Sequence, residues 1–290
     1  MAEILRSLLL AQNDKREDGS VKSLACIVVA VTLALAGCQR PQEAGRRELL
    51  TPEQEVEIGR AAGPLLENRM GGHLEPALLQ AYVQTVGERI ARSAGGEWPY
   101  RFVALDSPRV GVFSVPGGPV YVTRGLLARL DTEAELAAVV AHQVAHSSAG
   151  HDVKRVADAF GARVITDAAS AAAAARESPS PSPTAVAVLV RLVVGCTEIT
   201  YTPDMESEAD ALALDYMAAA GYHPGEMVRV AALLETMQGK EAAEFLGLHP
   251  NPGNRARDVA LAVSRKYPGR GGRIGREEYQ RIVLDRLKKP

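Results

Sequence analysis

His142 and His146 lie four residues apart in a 290-residue chain with six histidines in all. On a helix that spacing brings both imidazoles to one side. Two ring nitrogens held there can bind a zinc ion as a pair. Glu206 is a candidate third ligand through a carboxylate oxygen. Asp210, at i, i+4 from it, is a candidate acceptor for the ring nitrogen that a metal-bound histidine leaves free. Each has a plainer reading. A histidine pair on a helix can be merely polar and exposed, and acidic residues opening a helix can merely favour its N-terminal dipole.

Two helices must present these groups. Thr132 with Glu135 three residues on is a capping box, and Leu136, Val139 and Val140 give the helix after it an apolar face at helical spacing. Met205 to Met217 reads as a second helix, with Asp204 as its cap and Gly221 just past its end. The first helix carries His142-Gln143-Val144-Ala145-His146. Zinc proteases have H-E-x-x-H here, with the glutamate as general base. Gln143 holds that position, and a carboxamide cannot take a proton from an activated water near neutral pH. The sequence offers a metal site and withholds the usual base.

H-x-x-x-H followed by Glu206-Ser207-Glu208-Ala209-Asp210 resembles the zinc metalloendopeptidase family that includes the HtpX heat-shock protease, the BepA and LoiP lipoproteins and the Ste-type CAAX prenyl protease. Other blocks come in that family's order. Val112 to Leu127, with Pro116-Gly117-Gly118 inside it, resembles its N-A-F-A-x-P-G-G-x-V-x-V-x-x-G-L-L block. Ala220-Gly221-Tyr222-His223-Pro224 resembles A-G-Y-D-P, and His249-Pro250 with Arg255 resembles H-P-x-x-x-x-R. The resemblance implies one Zn2+ per chain, held by His142, His146 and Glu206, with Asp210 behind a ligating histidine. It implies that His249 can reach the ion as a plug or a transition-state partner. It also implies a sheet edge beside the zinc at Gly111, Val112 and Phe113, exposed to take a substrate peptide by strand addition. Gly111 replaces the family's asparagine there, and Pro203 stands where arginine is usual. Too little chain remains after Arg255 for tetratricopeptide repeats, so the resemblance is to the short lipoprotein form.

With 47% hydrophobic residues and a net charge of −2, the chain has material for one substantial domain. Its charge argues against nucleic-acid binding. The cysteines Cys26, Cys38 and Cys196 form no C-x-x-C or paired framework, so no disulfide is expected. Cys196 reads as a small buried apolar residue. Leu24 to Ala36 is an apolar run too short to span a membrane comfortably. It comes after Lys22 and ends in Leu35-Ala36-Gly37-Cys38, so residues 1–38 read as a signal peptide with a lipobox and Cys38 as the lipidated residue. Asp14, Glu17 and Asp18 do not suit such a leader, and residues 1–20 are expected to lie upstream of the true start. Gln39 after the lipobox fits the outer membrane, facing the periplasm. Residues 39–50 are a tether, 51–268 the metallopeptidase-like domain and 269–290 a C-terminal helical tail.

The fold class expected is α+β: a mostly helical metalloprotease domain with a small hairpin sheet beside the active-site helix. Thr51-Pro52-Glu53-Gln54 starts a helix, and Pro76 begins another with Leu79, Tyr82, Val83, Val86 and Ile90 on its core face. Tyr100 to Leu105, Val110 to Val115 and Pro119 to Thr123 read as strands, the last two a hairpin. Asp167 to Thr184, Ala-rich and then alternating Ser and Pro, reads as a mobile loop. Gly225 to Met237 reads as a further helix. General base catalysis contributes about 10²–10⁴-fold, so proteolysis reduced by at least that order is expected. By resemblance the partners are unfolded or misfolded envelope polypeptides. A non-catalytic polypeptide-binding or chaperone-like module is the alternative.

Overall fold

The computed structural model describes residues 49–95, 98–178, 181–237, 248–250 and 254–288. The expected leader, Cys38 and the expected tether up to residue 48 lie outside them.

Helix α1 (Pro52–Arg69) begins at the expected capping box, Thr51 accepting from the Gln54 amide with proline at the first turn. Helix α2 (Ala77–Ser93) buries Leu79, Tyr82, Val83, Val86 and Ile90 as its periodicity requires. Strands β1 (Arg101–Leu105), β2 (Val112–Ser114) and β3 (Pro119–Thr123) form a sheet of order β1-β3-β2, with β1 parallel and β2 antiparallel to β3. Gly117, at φ 89°, makes the hairpin turn pressed against the backbone of α1. A Cβ there would lie 2.2 Å from the Glu55 carbonyl oxygen.

Alternation along the strands divides the interior. Phe102, Ala104, Val112, Val120 and Val122 face a larger core shared with α2. Val103, Leu105, Phe113 and Tyr121 face a smaller core shared with α1. After the short helix α3 (Arg124–Leu127), α4 (Glu133–Ser148) starts at the Thr132–Glu135 capping box and is buried almost throughout. Its first residue, Glu133, accepts from the Tyr82 and Tyr222 hydroxyls, both at 2.8 Å, and pairs with Arg89 at 2.9 Å and Arg273 at 2.6 Å. A carboxylate at a helix N-terminus also suits the dipole, so the start of α4 is firmly seated.

Helices α5 (His151–Phe160), α6 (Ala162–Glu177) and α7 (Pro183–Glu198) come next. The Ala-rich stretch from residue 167 is therefore helical and not the expected loop. Alanine is the best helix former, and Ala168, Ala169, Ala171 and Ala172 are buried in the smaller core. The Ser-Pro stretch likewise ends in a helix start, Ser182 capping α7 with Pro183 in its first turn.

Helix α8 (Pro203–Ala219) is capped by Thr202, not by Asp204. Pro203 suits the first helical turn, where its missing N–H has no helical partner to lose. Helices α9 (Glu226–Thr236) and α10 (Arg255–Lys266) pack on one another beside α4 and α8. The last described elements are Arg276–Tyr279, a π-helical turn Gln280–Leu284 and Asp285–Leu287. They place Tyr279, Ile282 and Val283 in the larger core, and the Tyr279 hydroxyl donates to the Leu127 carbonyl at 2.7 Å.

Candidate metal centre

Helices α4 and α8 pack side by side. His142 and His146 come from the first and Glu206 from the first turn of the second, all buried. His249 joins them from the loop before α10. One nitrogen or oxygen from each of these four side chains lies within 4.8 Å of the other three, so one ion can be shared by all. The Nε2 atoms of His142 and His146 are 3.0 Å apart. Glu206 Oε1 is 3.2 Å from His146 Nε2 and 2.9 Å from His249 Nδ1, and its Oε2 is 3.4 Å from His142 Nε2. Two or three imidazoles with a carboxylate are the donor set that suits zinc. His249 is delivered by a backbone bond, the Tyr201 amide donating to the Leu248 carbonyl at 2.9 Å.

The outward ring nitrogens are held too, as metal-ligating histidines require. His142 Nδ1 lies 2.9 Å from Asp210 Oδ1, as expected. His146 Nδ1 meets His151 Nδ1 at 3.0 Å, and His151 Nε2 meets Glu208 at 3.3 Å. Glu208, which helical spacing turns away from Glu206, thus reaches the site through His151. Gly150, at φ 74°, ends α4 and lets His151 fold back beside His146. Tyr201 stacks on the His146 ring with centroids 3.6 Å apart. Arg255 sits behind both carboxylates, with Nη1 2.7 Å from Glu206 Oε2 and Nη2 2.6 Å from Asp210 Oδ1.

These contacts set the charges. Burial favours a neutral Glu206, but His249 and His142 override it and hold the carboxyl well below the usual range. Burial and the neighbouring His142 hold His146 well below the usual histidine value. Burial also lowers His249, against the pull of Glu206. Burial opposes a charged His142 as well, but Glu206 and Asp210 raise it. An anionic Glu206 beside the lowered His146 and His249 is the ligand-ready state, whereas His142, held up by the two carboxylates, has a proton to release when an ion binds.

Gln143 is fully buried. Its amide nitrogen donates to Ser114 Oγ at 2.6 Å and to the Tyr201 hydroxyl at 3.0 Å. Its oxygen has no hydrogen-bond partner among the described residues. Beside His142 is a small apolar pocket whose lining includes Val112, Val139, Met227, Val230 and Leu234. Strand β2 is an edge of the sheet, but Gly111, Val112 and Phe113 are buried, not exposed as the resemblance implies. Gly111 is the reason in part. The Phe113 ring folds so close that a Cβ at 111 would lie 2.7 Å from it, and the Arg109 guanidinium covers the ring's face.

His151, Ser114, Tyr201 and Asp152 were not among the expected site residues. A third histidine five positions after His146 was the available signal for His151. Nothing local marked the others.

The sequence model of peptidase family M48 matches residues 77–262. Among curated proteins, the putative beta-barrel assembly-enhancing protease of Vibrio cholerae is 28% identical over 225 residues, 76% of this chain and 46% of that protein. The beta-barrel assembly-enhancing protease of Escherichia coli is 23% identical over 227 residues, 74% of this chain and 45% of that protein. The mitochondrial metalloendopeptidase OMA1 of Schizosaccharomyces pombe is 26% identical over 181 residues, 61% of this chain and 51% of that protein. The chain therefore spans about half the length of these relatives.

Proposed function

Because the chain belongs to peptidase family M48, we propose that it is a zinc-dependent metalloendopeptidase-like lipoprotein of the bacterial envelope. In this reading it acts in quality control of outer-membrane proteins, and Gln143 leaves it with strongly reduced proteolysis. Zinc, when bound, supplies a Lewis acid that polarises a peptide carbonyl and acidifies a water. His142, His146 and Glu206 would hold the ion, and His249 would occupy or guard the fourth position. Asp210 and His151 fix the ligating rings. The apolar pocket beside His142 would receive a side chain of the bound polypeptide. Unfolded or misfolded envelope polypeptides are the proposed partners, since relatives are named for β-barrel assembly. Cys38 would anchor the chain in the outer membrane, facing the periplasm.

The observation that carries the reduced activity is Gln143 itself. Both of its amide protons go to hydroxyls, and it has no group that can accept and return a proton. The same observation favours the second reading, a non-catalytic pseudo-protease that binds polypeptide. The test is single-turnover cleavage of a denatured outer-membrane β-barrel protein by the zinc-loaded chain. Expected is a rate about 10²–10⁴-fold below that of a relative with glutamate at this position. Full-speed cleavage abolished by His146→Ala would overturn the account of position 143.

A further inference from the structure

Deepening that account of position 143, we infer that Asp152 is a positioning residue that selects an amide, and rejects a carboxylate, at the base position.

The protons decide it. Asp152 Oδ2 accepts from Ser114 Oγ at 2.5 Å and from Ser147 Oγ at 3.0 Å. Its Oδ1 accepts from the Tyr201 hydroxyl at 2.7 Å and from Arg155 Nη2 at 3.3 Å. Ser114, Ser147, Asp152, Arg155 and Tyr201 are all buried. A hydroxyl carries one proton. With those of Ser114 and Tyr201 turned toward Asp152, their oxygens can only accept from any other neighbour. Gln143 Nε2 offers two protons and meets both oxygens. The reverse amide orientation would set Oε1 against two lone pairs, so the network itself fixes which end of the amide is which.

Glutamate at 143 would bring acceptors alone. Its carboxylate would face the two hydroxyl oxygens with no proton between, and would add a second buried anion beside Asp152. Arg155 carries one positive charge, already paired with Asp152 at 3.3 Å, and its two terminal nitrogens donate to the Ile199 carbonyl at 2.6 Å and the Cys196 carbonyl at 2.8 Å, so two buried anions would share a single cation. The exchange of glutamate for glutamine thus sits in a matched setting. Asp152 supplies the negative charge that position 143 lacks, one hydroxyl further away. Restoring activity therefore requires Gln143→Glu together with Asp152→Asn. That pair conserves charge and lets the hydroxyl protons turn toward Glu at 143.

The experiment is a double-mutant cycle on the full-length, zinc-loaded chain, read as the folded-to-unfolded ratio in denaturant titrations. Gln143→Glu alone should lower the ratio by at least about tenfold. In the Asp152→Asn background the same change should cost at least about tenfold less. Equal losses in both backgrounds, or no loss from Gln143→Glu, would overturn the inference. If Gln143→Glu does not fold at all, Gln143→Met decides. It removes the donors without adding acceptors or charge, so it should fold, and a Gln143→Met chain that also fails to fold would overturn the inference. The cycle reads stability and not cleavage. Its failure leaves the proposed function standing, and a proteolytically active wild type leaves the cycle standing.

Discussion

Replacing Arg255 by methionine would keep most of the side-chain volume and remove the positive side chain that touches both acidic groups of the site. Arg255 is 2.7 Å from Glu206 and 2.6 Å from Asp210, and all three are almost wholly out of solvent. Breaking a buried pair by removing one partner costs about 3–5 kcal/mol, because the remaining charge is left uncompensated. For a chain of this size each kcal/mol moves the melting temperature by roughly 2–4 °C. The expected loss is therefore about 6–20 °C when the metal is chelated. With zinc the sum changes. Two carboxylates carry two negative charges, and the ion brings two positive charges to the same place. Saturating zinc should then recover most of the loss, so the gap between the zinc and chelator melting curves is wider for Arg255→Met than for wild type. Thermal unfolding followed by circular dichroism in excess zinc and in excess chelator measures both. Equal losses in the two conditions would refute the electrostatic reasoning, as would a loss under about 2 °C in chelator.

Zinc should bind at one ion per chain by elemental analysis and fall toward none in His146→Ala, whereas His249→Ala should keep the ion because three ligands remain; a wild-type ratio near zero would contradict the site. Glu133→Gln should destabilise the fold by about 1–2 kcal/mol at pH 7, by weakening charged hydrogen bonds to two tyrosines and to two arginines that stay partly in solvent, as read by denaturant titration. Burial works against ionisation of Glu133, but Arg273 and the two tyrosines hold its pKa below the usual 4.5. That contribution is present above about pH 4.5 and is lost as pH falls through the lower folded value, so the variant and wild type should converge in acid. Burial raises the Cys196 thiol to about 12, with Arg155 only partly opposing it. It should stay unmodified by a thiol reagent at pH 8 until the chain is denatured.

What is legible in the sequence is local. The capping boxes at Thr51 and Thr132, the core face of α2 and the Pro-Gly-Gly turn are all written within a few residues, and each marks its element. The residues of the candidate metal cluster are also within reach, since His142 with His146 and Glu206 with Asp210 are one helical turn apart. The failures have physical reasons as well. Low complexity suggests mobility from residue 167 onward, yet repeated alanine is compatible with a packed helix when a small core needs small side chains. Asp204 has the chemistry of a cap, but Thr202 takes that place and puts Pro203 in the first turn. Spacing along α8 turns Glu208 away from Glu206, because spacing says nothing of a histidine arriving from α5. The hydroxyls and carboxylate around Gln143 lie 29 and 58 positions away, or reach it only through an intermediary, and no local pattern reports such partners.

The candidate fourth ligand, His249, has a consequence for the molecule as a whole. His142, His146 and Glu206 rise from α4 and α8, whose apolar faces belong to the larger core, while His249 directly follows Leu248, which is seated in the smaller one. A cation gripped by all four would rivet two separately packed halves together. Helices α6 and α7, which contribute no ligand, would then owe part of their rigidity to an ion they never touch.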